Sequence, residues 1–353
     1  MGRASARGLA RSRQGDLADS AAAVAVSAIV VNHERRHLLR MCLSTVLQAL
    51  DRVDEQTELV VVDNGSADGS VELVRELFPE VVLVTLERNE GFAGGLTAGL
   101  TAARGEWIAV FNNDTTVERD TVAVMLDAAR SDPRVGAVAA QMRFADARDV
   151  LNSAGLELDR LGIAADRLVG SRVADHLEQE PYEVFGATGG AALFRTEMLE
   201  QVGSFDSSYF AFFEDVDLAW RARAHRWRTL YAPRAVVYHH HGATVRHGSP
   251  AKLYFVGRNR VRTLAKNATV GMLLRNAPQM LLYELGYVLF ACAAARTLAP
   301  LQGRLQGLRD WRTYRRLGAA HRCPVRLDRP LGLRRALQRH RAWQPVDRGY
   351  PHR

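Results

Sequence analysis

Cysteine is scarce in this chain. Its 353 residues include three, Cys42, Cys292 and Cys323. They are far apart, odd in number and never in C-x-x-C spacing, which argues against a disulfide scaffold and a cysteine zinc site and fits a reducing compartment. No G-x-G-x-x-G follows the first strand-like run, which counts against a nicotinamide enzyme. No internal repeat is present. The apolar stretch Met280–Ala295 is broken by Glu284, and the uncharged remainder, Leu285–Ala295, falls short of the roughly 20 residues that a bilayer span needs, so it reads as a buried helix or as an interfacial or re-entrant one leading into Arg-rich sequence. Lysine is missing from the last 58 residues.

That last absence exposes the charge layout. Residues Arg296–Arg353 hold 15 Arg and only three acidic residues (Asp310, Asp328, Asp347), a local +12 against +8 for the whole chain. The rest therefore carries −4. A mildly acidic body with a basic end argues against a nucleic-acid-binding core and points to a localised anionic contact. Apolar residues at 47% and charged residues at 24% describe a globular protein of one large or two average domains.

The first 20 residues hold four Arg among small and polar residues, and Ala21–Val31 is apolar. A signal peptide has that outline, but Asp16 and Asp19 interrupt it and Val24–Val31 reads as a buried strand. From there strand-like and helix-like segments alternate. Strands are expected over Val24–Val31, Glu58–Val62, Val81–Leu86, Trp107–Phe111 and Val135–Gln141. Helices are expected over Arg35–Leu50, Val71–Phe78, Gly91–Arg104 and Glu118–Arg130. Repeated βα units predict a doubly wound, mostly parallel α/β sheet. Residues 142–185 read as irregular, with hairpin pieces. Further strands are expected at Ala191–Phe194, Thr229–Tyr231 and Ala235–His241, and helices from Pro250 onward.

Ligands on such sheets bind beyond the carboxyl ends of the strands. Asn32-His33, Asp63-Asn64 and Asn113-Asp114 all fall at strand ends, so three strands aim polar groups at one crevice. Asn89-Glu-Gly-Phe-Ala-Gly-Gly95 opens a helix whose first N–H groups could hold an anion, or it is a plain glycine turn. Asp114 at a strand end can hold a hard divalent cation with substrate phosphates, or cap the next helix. Glu214-Asp-Val-Asp217 packs three carboxylates into four residues. A helix dipole would help keep them ionised, and an ionised Asp in a cleft can deprotonate a hydroxyl. The bland alternative pairs Asp217 with Arg221 at i,i+4. Tyr238-His-His-His241 offers a histidine to complete a metal site.

In this order the motifs resemble glycosyltransferase family 2, the inverting GT-A-fold sugar-nucleotide transferases, nearest its rhamnosyltransferase-like bacterial branch. The resemblance spans about residues 24–265. It rests on Val26–Asn32, Val60–Gly69, Asn89–Gly95, Phe111-Asn-Asn-Asp-Thr115, Gly189-Gly190 with Arg195, Phe212–Leu218, His239-x-x-Gly242 and Arg258-Asn259. Composition and charge give a flexible basic tail (1–20) and a helical, Arg-rich, membrane-proximal extension (251–353). Between them the resemblance implies a GT-A (Rossmann-like) mixed sheet over residues 21–250.

It also implies roles. Asp215 matches the catalytic base. Asp114 matches the last residue of the DxD-type metal motif, and His239 a histidine that helps hold Mg²⁺ or Mn²⁺ or the diphosphate. Asp63 would contact the nucleotide, with Asn32, Asn64, Gly94, Gly95 and Asn113 also on the donor side. Gly189, Gly190, Glu214 and Asp217 would form the acceptor and diphosphate region. Departures are Asn112 for the first metal-motif carboxylate, Thr97 where Asn is usual and Thr244 where Ser is usual. The expected partners are a dTDP- or UDP-sugar, a glycan or polyprenyl-linked acceptor and an anionic membrane surface met by the Arg-rich end. The expected setting is the cytoplasmic face of the cell membrane. A nucleotidyltransferase and a non-catalytic sugar-nucleotide-binding protein are the rival readings.

Overall fold

The computed structural model describes residues 23–240 and 249–328. The expected basic tail at 1–20, His241, Gly242, Thr244 and the basic end beyond 328 lie outside the described residues.

The chain begins as alternating strands and helices: β1 (Val26–Asn32), α1 (Arg36–Leu50), β2 (Thr57–Asn64), α2 (Ser70–Leu77), β3 (Val82–Leu86), α3 (Gly91–Ala102) and β4 (Trp107–Asn112). It continues through β5 (Thr115–Val117), α4 (Thr121–Arg130), β6 (Val135–Phe144), β7 (Ala147–Ser153), β8 (Leu156–Leu158), β9 (Ala164–Asp166) and β10 (Tyr182–Val184). Then come β11 (Ala191–Arg195), α5 (Thr196–Val202), α6 (Glu214–Ala224), β12 (Arg228–His239), α7 (Pro250–Asn267), α8 (Val270–Ala295), α9 (Ala299–Arg309) and α10 (Trp311–Leu317).

The main sheet runs β10-β12-β6-β11-β4-β1-β2-β3, with β5 on β12 and β7 on β6. Strands β3, β2, β1, β4, β6 and β12 are mutually parallel, and β5, β7, β10 and β11 run against them. The expected mixed, mostly parallel α/β sheet is what forms. β1 explains why the apolar run near the start is a strand. It lies between β2 and β4 and is wholly buried. Val26, Ala28 and Val30 face the layer of α1 and α4, while Ile29 and Val31 face that of α3, α5 and α6. A strand covered on both faces reads as a continuous apolar run.

Two strands expected separately at Thr229–Tyr231 and Ala235–His241 are one, β12. Its register against β6 slips between Ala232 and Val236. Pro233 sits in that slip, where its missing N–H breaks no ladder bond, and its carbonyl accepts from Gln141 Nε2 at 2.9 Å. The irregular stretch 142–185 contains the β6–β7 pair and a small β8–β9 ribbon.

The boundary expected near residue 250 does not separate two cores. Leu156, Leu158, Val216 and Trp220 pack in one cluster with Leu264 of α7 and with Ala268 just beyond it. The expectation for Met280–Ala295 also changes. Those residues are the second half of the 26-residue α8, whose length and composition would suit a membrane crossing.

Candidate active site

The three polar strand ends do meet. Asn113 Nδ2 donates to Asn32 Oδ1 at 2.7 Å, and Asn32 Nδ2 donates to Asp63 Oδ1 at 3.2 Å. Neighbouring strands β4, β1 and β2 thus end in one continuous polar ladder. Asp63 is buried, and its other oxygen accepts from the Ser66 N–H at 3.0 Å. The loop beyond β2 is in this way locked beneath the crevice.

Asn64 has another task. Its Nδ2 donates to the Gly91 carbonyl at 2.9 Å, and its Oδ1 accepts from the Glu90 N–H at 2.8 Å. It fastens the 89–91 loop and has little left for a donor molecule. Gly94 and Gly95 also differ from the expected anion cradle. The first-turn N–H groups of Gly91 and Ala93 are spent on Asn89 Oδ1 (2.8 Å) and the Phe210 carbonyl (3.1 Å). A Cβ on Gly95 would lie 2.4 Å from Val31 Cγ1, and one on Gly94 2.7 Å from Glu90 Cβ. These glycines let α3 lie against β1 and its own entry loop, a packing role.

The metal-motif end is built by pairing of β5 with β12, which sets His239 opposite Thr115. His239 Nε2 comes 3.2 Å from Asp114 Oδ1. The His239 Nδ1 lies 2.9 Å from Asn152 Oδ1. Asn152 thereby fixes the orientation of the ring, the kind of support a ligating imidazole has. An imidazole nitrogen and a carboxylate oxygen this close are a donor set that would suit Mg²⁺ or Mn²⁺. Among the described residues no third His, Cys, Asp or Glu joins them. Cys42 lies behind the motif with its thiol on the Asn112 carbonyl. Burial pushes that thiol up to about 12, so it is inert.

The Gly189-Gly190 loop joins the metal end to the carboxylates. The Gly190 carbonyl accepts from the Asn112 N–H at 3.0 Å, and the Gly189 N–H donates to Asp215 Oδ2 at 3.2 Å. A Cβ on Gly189 would sit 2.8 Å from the Phe92 ring. Asp215 is half-buried, and its Oδ1 accepts from the Val216 N–H at 2.8 Å. Burial pushes its carboxyl up to about 6; the two N–H groups pull it down and Asp166 pushes it further up. Glu214 beside it is buried. Burial and the Asp215 charge push it well above the usual carboxylate range, and its Oε2 has no hydrogen-bond partner. The expectation that a helix dipole keeps all three ionised therefore fails. A dipole is worth about 0.3–1 kcal/mol, against several pKa units for full burial.

Asp217 does not join the site. It is wholly buried and binds Arg221 Nε (2.9 Å), Lys266 Nζ (2.9 Å) and Asn267 Nδ2 (2.7 Å). Burial alone would raise its carboxyl, but the two cations hold it at about 2. The bland i,i+4 pairing with Arg221 is the correct reading, extended by α7.

The loop before α6 is strained. Phe210, Phe212 and Phe213 have φ of 67°, 68° and 72°, a left-handed geometry that costs roughly 1–2 kcal/mol per non-glycine residue. Asn259 of α7 holds it. Its Nδ2 lies 3.0, 2.8 and 2.7 Å from the carbonyls of Tyr209, Ala211 and Phe212. Asn259→Ala is expected to lower kcat about tenfold with little change in donor affinity, because the base would drift while the strand ends stay intact. A kcat/KM split on the purified variant, beside a melting curve, checks this.

Two contributors escaped sequence reasoning. Asp166, at the end of β9, acts electrostatically on Asp215 and feels Lys252 and His239 in turn. It lies in the irregular stretch, where no periodicity points at it. Asn152, which orients His239, has no signal beyond lying one strand away.

Residues 27–203 match the sequence model of glycosyl transferase family 2, half of the chain. The chain belongs to that family. It is therefore a glycosyltransferase, with the GT-A architecture. The N-acetylglucosaminyl-diphospho-decaprenol L-rhamnosyltransferase of Mycobacterium tuberculosis is 27% identical over 230 residues, 59% of this chain and 72% of that protein. The poly-β-1,6-N-acetyl-D-glucosamine synthase of Staphylococcus aureus is 24% identical over 184 residues, but this chain spans only 42% of its length. Among solved structures, GalNAc-T7 with UDP, GalNAc and Mn²⁺ superposes with a TM-score of 0.56 at 15% identity, over 83% of this chain and 58% of that one. The mannosyltransferase PcManGT of Pyrobaculum calidifontis, with GDP-Man and Mn²⁺, gives 0.50 at 22% identity over 85% and 86%. At these identities the two structures speak for the fold.

Proposed function

We propose that this family 2 enzyme moves a sugar, with inversion, from a nucleoside-diphosphate donor to a hydroxyl of a glycan or polyprenyl-linked acceptor in cell-envelope polysaccharide synthesis. The carrying observation is that the Gly189-Gly190 loop is bonded to Asp215 at one end and, at the other, to Asn112, two residues before the Asp114 that faces His239. The donor would lie across the strand ends, over the Asn113–Asn32–Asp63 ladder. Asp114 and His239 would hold Mg²⁺ or Mn²⁺, which supplies charge neutralisation of the leaving diphosphate. Asp215, with a carboxyl near 6, is mostly ionised at neutral pH and takes the proton of the acceptor hydroxyl as that oxygen attacks the anomeric carbon. The Gly189 N–H keeps the base aimed.

dTDP- and UDP-sugars are the donors to try first, dTDP-rhamnose among them, given the mycobacterial relative's name. That relative's lipid-linked acceptor class, the exposed apolar α8 and the Arg-rich end support a peripheral enzyme at the inner face of the membrane. The test is a calorimetric screen of nucleotide sugars with and without Mn²⁺ or Mg²⁺. One nucleotide class should bind in a metal-enhanced way. Asp114→Ala should weaken that enhancement tenfold or more, about 1.4 kcal/mol. An unchanged metal titration in Asp114→Ala would count against the assignment.

A further inference from the structure

The helix α8 is long and apolar, yet only 6% of its most hydrophobic window is buried. Leu274, Leu281, Leu282, Leu285 and Leu289 recur at helical spacing and are 72, 62, 75, 57 and 73% exposed. Such a surface on a soluble body needs a partner. The helix is about 39 Å long at 1.5 Å per residue, enough to cross a bilayer. Its midpoint forbids that. Glu284, in the middle of α8, is ion-paired with Arg260 of α7 and Arg304 of α9. Arg260 in turn donates to the carbonyls of Leu161 (2.6 Å) and Gly162 (3.0 Å) in the sheet domain. Crossing the membrane would drag those buried cations into hydrocarbon or tear them from the fold. One side of α8 is thus riveted to the protein and the opposite side is bare leucine.

The surroundings specify what covers it. The next helix, α9, also leaves Leu301, Leu305 and Leu308 exposed. A hollow on α10 is lined by Trp311 and by Arg312, Arg315, Arg316 and Arg322. Exposed leucines on α8 and α9, with arginines and a tryptophan on and after α10, match the acyl region, the phosphates and the headgroup level of an anionic bilayer.

We infer that α8 lies in the membrane plane as an interfacial anchor, its leucine side in the acyl region, with the Arg hollow of α10 at the anionic lipid phosphates. This rests on the peripheral-membrane reading above and replaces its main anchor. The apolar side of α8 holds the protein down, and the arginines add a salt-sensitive increment.

The test is co-sedimentation of the full chain with vesicles of phosphatidylcholine and phosphatidylglycerol, at low and high salt. Wild type, Leu281→Ser/Leu285→Ser/Leu289→Ser and Arg312→Gln/Arg316→Gln would be compared. The triple variant should lose at least tenfold in vesicle affinity at both salts. The arginine variant should lose affinity at low salt only. Because the leucines are exposed, melting temperature and nucleotide-sugar binding should stay at wild-type values. Wild-type binding by the triple variant would overturn the inference while leaving the peripheral reading in place. Absence of vesicle binding by wild type would overturn both. A dimer in sedimentation velocity that the triple variant converts to monomer, without vesicle binding, would assign the surface to a second copy instead. Trp placed singly at Leu274, Leu282 and Leu289 settles the orientation. In-plane insertion predicts equal quenching by shallow brominated lipids, whereas quenching deepest at position 282 would overturn it.

Discussion

Replacing Asp215 with Asn should lower sugar transfer by about 10²–10⁴-fold, the range for loss of a positioned general base. The substitution is nearly isosteric. The amide oxygen can still accept from the Gly189 N–H, so the loop that joins base to metal end keeps its course. What disappears is the proton acceptor. Donor affinity should change little, because the Asn113–Asn32–Asp63 ladder and the Asp114–His239 pair are untouched. In the wild type, kcat should rise as pH climbs through about 6, where the Asp215 carboxyl ionises. The residual activity of Asp215→Asn should lack that limb. Glu214 is a poor understudy, since burial holds it well above the usual carboxylate range. Initial rates from pH 5 to 9, with calorimetric donor affinity, check both halves. Near-normal turnover, or loss of donor binding together with turnover, would contradict the role.

Replacing Asp217 with Ala should cost about 3–5 kcal/mol of stability, as expected when one partner of a buried ion pair is removed. Arg221 and Lys266 would both be left buried against a missing anion. The same carboxylate predicts acid sensitivity. Its folded value of about 2 lies below the ordinary 3.8. The stabilisation is therefore fully present above about pH 4 and is lost as pH falls through about 2. Asp215, Glu214 and Asp166 are raised instead. Their contribution runs the other way, present below the ordinary carboxylate range and lost as pH rises through their folded values. Urea denaturation of the wild type and Asp217→Ala at neutral pH measures the first effect. A change under about 1 kcal/mol would show that the Asp217 cluster is not what ties α6 to α7.

The parallel sheet was legible because each βα unit repeats one pattern, an apolar run, a polar end and an amphipathic helix. The strand-end crevice followed from that, since topology brings Asn32, Asp63 and Asn113 to one edge whatever their contacts. Side-chain direction was not legible. Gly94 and Gly95 look like an anion cradle in one dimension, and only the approach of Val31 reveals a packing role. A better signal was present, glycine at 95 and 99, the i,i+4 spacing of a helix lying close on strands. Asp217 and Asp215 are two residues apart and chemically alike. Helix geometry turns one towards Lys266, 49 positions away, and the other towards Gly189. The ionisation of Glu214 was misjudged because burial depends on the tertiary surroundings and outweighs a helix dipole. Glu284 looked like an interruption of an apolar stretch. Its pairing with Arg260 and Arg304 makes α8 one continuous helix.

Single-step transfer to a hydroxyl that Asp215 deprotonates inverts the anomeric centre. The deciding measurement is the anomeric configuration of the first product, read by proton NMR from the coupling constants at the new linkage. A product anomer opposite to that of the nucleotide-sugar donor is predicted. A product with the donor's own configuration would contradict it.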